Sequence, residues 1–206
     1  MKKEWEITRR EALRRSLLLS LLGAGATASS LSSSVAQTAL PGTKTLVAYL
    51  SRTGNTKVIA EQLQRALGAD LFEIRTAQPY PEDYEETVER ARQQRDAGTE
   101  PPLLAHVENI GGYDTVFLGF PIWGMALPAP VRTFLTTHDL SGTTLVPFIT
   151  HGGYGTGSAP QTVAELAPNS RILDPFVMQA DQERETLNRV SAWLRAIENA
   201  NRATVG

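Results

Sequence analysis

From residue 45 onward, short apolar runs alternate with longer stretches of helical periodicity. Thr45 to Leu50 is apolar nearly throughout, as expected of a strand buried on both faces. Val58, Ile59, Leu63 and Leu67 then recur on one face of a helix, which Gly68 ends. Asp70 to Ile74 alternates and predicts a strand near a sheet edge. Tyr113 to Phe120 and Thr144 to Ile149 predict two more buried strands, each followed by a short helix, Pro130 to Leu135 and Gln161 to Leu166. Pro147 is awkward inside its strand because it lacks a ladder N–H. Arg171 to Met178 predicts a fifth strand broken at Asp174-Pro175. Leu187, Val190, Trp193, Leu194 and Ile197 form one apolar stripe on a final helix, Glu183 to Glu198, where Trp193 belongs to the core. Strands alternating with helices predict βαβ units. The fold class is therefore α/β: a doubly wound, five-stranded parallel sheet with helices on both faces.

One segment departs from this rhythm. Between strands two and three, about residues 76–112, the chain is long. It carries a proline-bounded turn (Gln78 to Tyr84) and a very polar helix, residues 83–96, anchored only by Tyr84, Val88 and Ala91. Glu85, Glu86 and Glu89 face Arg90, Arg92 and Arg95 at roughly i,i+4 spacing, which predicts surface ion pairs worth ~0.3–0.5 kcal/mol each. A solvated helix is the simplest reading. A partner-docking face, or a cover over part of a pocket, is the other.

The front of the chain lies outside this pattern. Thr8-Arg9-Arg10-Glu11-Ala12-Leu13 is a twin-arginine pattern, followed by an apolar run (Leu17 to Leu22), small residues, and Ser34-Val35-Ala36 as a small-x-small cleavage site. Residues 1–36 are read as a twin-arginine signal peptide and 37–206 as the functional domain. A membrane anchor left by an uncleaved signal is the alternative, disfavoured because the apolar run is short. Gly23 to Ala28 imitates a dinucleotide fingerprint but follows no strand.

Composition narrows the chemistry. The 206 residues contain no cysteine, which excludes disulfides, thiolate nucleophiles and cysteine-ligated metals. The three histidines (His106, His138, His151) are scattered, so no metal site is expected. The net charge is −2; residues 1–36 hold six basic and three acidic side chains, leaving 14 basic and 19 acidic residues and a net charge of −5. A mildly acidic domain without a basic patch argues against nucleic acid.

The candidate site lies in three loops, each at the C-terminal end of a predicted strand, where ligands bind in such sheets. The first, Ser51-Arg52-Thr53-Gly54-Asn55-Thr56, is rich in hydroxyls, lacks a carboxylate and opens a helix. It presents backbone N–H groups and a helix N-terminus to an anion and reads as a phosphate cradle. No Walker-type motif is present. The second loop holds Pro121, Ile122, Trp123 and Gly124. The third holds Thr150, His151, Gly152, Gly153, Tyr154 and Gly155.

Together, Leu46 to Thr56, Phe117 to Gly124 and Ile149 to Gly155 resemble the flavodoxin family, in its order and spacing, from about residue 44 to the end. The resemblance implies an FMN site. Residues 51–56 would bind the 5′-phosphate, with Arg52 serving mainly through its N–H. Trp123 would stack on one face of the isoalloxazine and Tyr154 on the other. Gly124 would let its peptide accept a hydrogen bond from N5–H of reduced flavin, and His151, Gly152 and Gly153 would line the pyrimidine edge. Core packing for Trp123 and a plain turn at Tyr154 are the competing readings. The implied activity is electron transfer through a noncovalent flavin, as carrier or reductase, with redox proteins or a small-molecule acceptor as partners. A flavin-free binding or scaffold module is the alternative. No acid stands beside Trp123-Gly124 or His151, so the flavin potential is expected to exceed that of low-potential carriers. Twin-arginine export of a folded flavoprotein would place it in the periplasm or another extracytoplasmic space, with no stable membrane insertion after cleavage.

Overall fold

The computed structural model describes residues 44–180 and 183–205. The proposed signal, residues 1–36, lies outside them. The chain runs β1 (Thr45–Tyr49), α1 (Asn55–Leu67), β2 (Asp70–Glu73), α2 (Tyr84–Asp96), β3 (Thr115–Pro121), α3 (Ala129–Thr137), β4 (Thr144–His151), α4 (Ala159–Leu166), β5 (Arg171–Ile172), β6 (Phe176–Gln179) and α5 (Glu183–Val205). The strands form a parallel sheet of order β2-β1-β3-β4-β5, with β6 also paired to β4. β5 and β6 are two pieces of the fifth strand, so this is the doubly wound five-stranded architecture that the alternation predicts.

The period of two in β1 shows why both faces are covered. Leu46, Ala48 and Leu50 point into one core with Val131 and Phe134 of α3 and Val163 of α4. Val47 and Tyr49 point into the other, with Ile59 and Leu63 of α1 and Val190 and Leu194 of α5. Trp193 packs there too, its ring 4.9 Å from Phe176 and 5.8 Å from Phe117. Gly119 of β3 faces Phe148 of β4 in direct register. A Cβ at Gly119 would overlap three carbons of that fully buried ring, so only glycine lets the ring lie flat on the sheet.

Pro147 is accommodated by the break in the fifth strand. β5 pairs with Thr144 and Leu145, and β6 resumes at Phe148, so neither piece pairs with Pro147. Three steps along β4, from Leu145 to Phe148, correspond to four along the fifth strand, from Ile172 to Phe176. The extra residue is a bulge containing Asp174-Pro175, placed where the proline has no N–H to offer.

α2 belongs to neither core. Asp83 caps it by accepting from Glu86 N–H at 2.9 Å, and only Thr87 of its residues is buried. The excursion that carries it is pinched at its base by Ala77 N–H to Pro102 O and Leu104 N–H to Arg75 O, both 2.8 Å. The expected ladder of glutamate–arginine pairs forms only at Glu89–Arg92, at 2.8 Å. Arg90 instead donates to Pro79 O and Gln78 O and lies over the Tyr80 ring. Arg95 pairs with Asp96. Carbonyls left without ladder partners in the proline-bounded turn capture Arg90 ahead of a solvated carboxylate. Among the described residues, no helix is long and apolar enough to cross a membrane.

Candidate functional site

In an order of 2-1-3-4-5 the chain reverses direction between β1 and β3, and the crevice outside the strands' carboxyl ends opens there. The loops after β1, β3 and β4 meet at that point around a cavity of about 370 Å³. Of the residues expected at the site, Ser51, Arg52, Thr53, Asn55, Thr56, Pro121, Ile122, Trp123, Gly124, Thr150, His151 and Gly152 line it. Gly54, Gly153, Tyr154 and Gly155 do not. Tyr154 is 86% exposed, so the structure does not bring it to the cavity as a ring-stacking face. The reason is local: His151 Nδ1 accepts from the N–H groups of Gly153 and Gly155, which curls the loop onto the histidine and leaves Tyr154 at its tip.

The first loop is organised by Ser51. Its Oγ accepts from Gly54 N–H at 3.2 Å and Lys57 N–H at 3.3 Å, folding the loop under the start of α1. The N–H groups of Thr53, Asn55 and Thr56 make no hydrogen bond among the described residues, and α1 has no acid in its first turn. These donors, with the helix dipole behind them, form an anion cradle. The Arg52 side chain is engaged elsewhere. Its Nη2 donates to Glu82 O at 2.9 Å and the guanidinium lies 5.6 Å from the Tyr84 ring centroid, which fastens the loop to the α2 excursion.

The second loop is a tight turn. Trp123 and Ala126 exchange both N–H···O bonds, and the residues between them have φ of 57° (Gly124) and 61° (Met125). Positive φ at both central positions is the type I′ geometry. Gly124 suits the positive φ, and Nη1 of Arg95 occupies the space where a Cβ would stand. Trp123 is half-buried, packs against the core beneath, and meets Tyr80 edge-on at 5.0 Å. It serves as core and as cavity wall together, so the two readings of the sequence are not exclusive.

The loops are tied to one another. A buried hydroxyl pair, Thr56 Oγ1 to Thr150 Oγ1 at 2.9 Å, joins the first to the third. Ile122 N–H to Thr150 O at 2.8 Å and Ser158 N–H to Met125 O at 3.0 Å join the second to the third. The cavity is therefore held open by bonds among its own walls.

The fourth wall is α2, which sequence reasoning did not place among the site residues. Tyr84, Thr87, Val88, Ala91, Arg92 and Arg95 face the cavity. Their spacing is one helical stripe, and it contains the three apolar anchors noticed in the sequence. Those anchors were the available signal. Tyr84, beside Arg52, marks the phosphate-loop end, and Arg95, on Gly124, marks the other. Among the described residues, three arginines and no carboxylate line the cavity. Glu89 and Asp96 hold Arg92 at 2.8 and 3.3 Å, and Arg92 in turn holds the Glu89 carboxyl down to about 2. Behind Trp123, burial pushes the Tyr80 phenol up to about 12, and its hydroxyl donates to Gln94.

The arrangement offers an anion cradle at one end, an indole wall at the other and a cationic side. None of the curated proteins matches the chain. Solved structures do. A Bacteroides eggerthii protein assigned as a flavoprotein is 35% identical, with a TM-score of 0.66 over 76% of this chain and 98% of its own. One from Bacteroides uniformis, with the same assignment, is 27% identical with a TM-score of 0.64, covering 73% and 99%. A Lactobacillus acidophilus flavoprotein in complex with FMN is 21% identical with a TM-score of 0.59, covering 71% and 99%. The profile of the flavodoxin family matches residues 44–197, which takes in all three loops, the α2 excursion and every strand of the sheet. The chain belongs to the flavodoxin family.

Proposed function

We propose that the chain binds FMN noncovalently and passes electrons through it in the cell envelope, to or from a redox protein or small-molecule partner. The observation that carries this reading is the convergence of three loops on one cavity of about 370 Å³, with free N–H donors at one end and Trp123 at the other. The residues fit the cofactor's two chemically different ends. The N–H groups of Thr53, Asn55 and Thr56, with the Thr53 hydroxyl, hold the phosphate. Trp123 presents an aromatic face to the ring. The Gly124 peptide would accept from N5–H of the reduced ring, and the third loop, fixed by His151, would present backbone to the pyrimidine edge. Bound FMN supplies reversible one- and two-electron chemistry. The protein's own work is to position the ring, exclude water from one face of it and set the charge around it. The Lactobacillus acidophilus flavoprotein that shares this fold is in complex with FMN, which supports the reading.

The test is the visible spectrum of the folded protein. Flavin bands after purification, or after titration of the apoprotein with FMN, are expected. A colourless protein that FMN does not reconstitute would leave the flavin-free binding module as the reading. Residues 1–36 are proposed to direct folded, cofactor-loaded protein through the twin-arginine route. Expression in hosts with and without that translocase, followed by mass measurement of the extracytoplasmic form, tests this. Extracytoplasmic protein in the translocase-deficient host would refute it.

A further inference from the structure

We propose that Arg95 is the residue that sets the flavin's potential, its guanidinium over the Trp123–Gly124 turn stabilising the negative charge of reduced FMN. The inference rests on the FMN reading. Arg95 Nη1 packs on Gly124 so closely that no Cβ fits between them, which puts a cation beside the turn against which the ring lies. Arg92, one turn earlier on the same stripe of α2, lines the cavity as well. Among the described residues, no carboxylate does. Asp96 is bonded to both arginines, at 3.0 and 3.3 Å, and unlike them does not line the cavity, so it holds the pair from outside the cavity wall and steadies their orientation. The charge therefore has a direction, positive toward the cavity and negative away from it.

The chemistry needs such a charge. Two-electron reduction of FMN takes up one proton, at N5, and leaves a negative charge on the pyrimidine side of the ring. A cation within the cavity wall favours that anion over the neutral oxidised ring and so raises the couple. Arg95 is 39% exposed and shares Asp96, so solvent and the ion pair screen it. An effect of about tenfold on the ratio of reduced to oxidised FMN affinity is expected, which corresponds to about 30 mV for a two-electron couple.

The experiment uses FMN-loaded protein and reads the affinity for oxidised FMN and the two-electron midpoint against reference dyes. Arg95→Gln should lower the midpoint by about 30 mV. Arg95→Lys should retain most of the wild-type value, and Asp96→Asn, which frees the arginines, should raise it. Arg171→Gln, an equal charge change at the opposite end of the sheet, should leave it unmoved. Opposite signs from Arg95→Gln and Asp96→Asn cannot arise from loosened packing. If Arg95→Gln fails to fold, the Arg95→Lys and Asp96→Asn pair decides. An unmoved midpoint in Arg95→Gln, a lysine variant that falls as far as the glutamine variant, or a fall in Asp96→Asn would overturn the proposal while leaving FMN binding intact. A protein that takes up no FMN would overturn both.

Discussion

The buried hydroxyl pair between Thr56 and Thr150 gives the sharpest test of how the site is held together. The two residues are 1% and 3% exposed, come from α1 and β4, and bond at 2.9 Å. Neither hydroxyl has another partner among the described residues. Thr150→Val is nearly isosteric, but it leaves the Thr56 hydroxyl buried and unsatisfied. The cost is the lost bond plus desolvation of the orphan, about 1–3 kcal/mol. Thr56→Val should cost a similar amount. The double valine variant buries two methyl groups where two hydroxyls met, and replacing both partners with apolar groups of the same shape is close to neutral. Its stability should lie within about 0.5 kcal/mol of the wild type, so the two substitutions are strongly coupled. Urea unfolding of all four proteins at one pH measures this. Thermal melts should follow at roughly 2–4 °C per kcal/mol for a domain of this size. Single variants as stable as the wild type, or a double variant as unstable as the sum of the singles, would refute the pairing. If the Thr56 hydroxyl serves the phosphate instead, Thr56→Val will weaken FMN binding far more than Thr150→Val.

Three further outcomes follow from named contacts. Gly119→Ala should destabilise the protein by about 2–3 kcal/mol in urea unfolding, because Phe148 is fully buried and cannot leave the space a Cβ would take; a change under about 0.5 kcal/mol would contradict the packing. His138 donates from Nδ1 to Phe134 O at 2.8 Å and accepts Val107 N–H at Nε2, and burial, aided by His106 nearby, holds it below the usual histidine value. Its folded value is lowered, so its contribution is complete above the unfolded value of about 6.5 and is lost as pH falls from there through the folded value; unfolding free energies across that window should show the loss, and His138→Leu should flatten it. Arg52→Ala removes the Glu82 and Tyr84 contacts of the first loop, and hydrogen exchange should report faster opening of residues 78–84 with the α1 amides unchanged.

The alternation of strand and helix patterns was enough to give the sheet and both of its covered faces. In β1 and β3 nearly every residue is apolar, and a period of two on a two-sided core leaves little freedom. The loops were legible because each stands at a strand's carboxyl end, where backbone donors and helix N-termini must face outward. Pro147, an apparent conflict with its strand, and the break at Asp174-Pro175 were each visible in the sequence. The bulge that reconciles them needed the register to be seen.

Other features were not readable, for physical reasons that differ. Tyr154 has the chemistry of a stacking residue, but its position depends on two backbone bonds to His151 that no residue pattern encodes. The Arg52 side-chain contact left no signal because its carbonyl partner lies 30 residues away. The polar helix is the largest case. Charged on most faces and weakly amphipathic, it reads as solvated, since periodicity reports burial in a core and a cavity wall is not a core. By itself the sequence determined the fold and the positions of the hydroxyl-rich loop and of Trp123 at strand ends, because these follow from local patterns repeated along the chain. The tertiary structure decided between the readings of α2, placing it as a cavity wall that carries Arg92 and Arg95, because that placement rests on contacts between segments far apart in sequence, of which the chain locally shows no more than three apolar anchors.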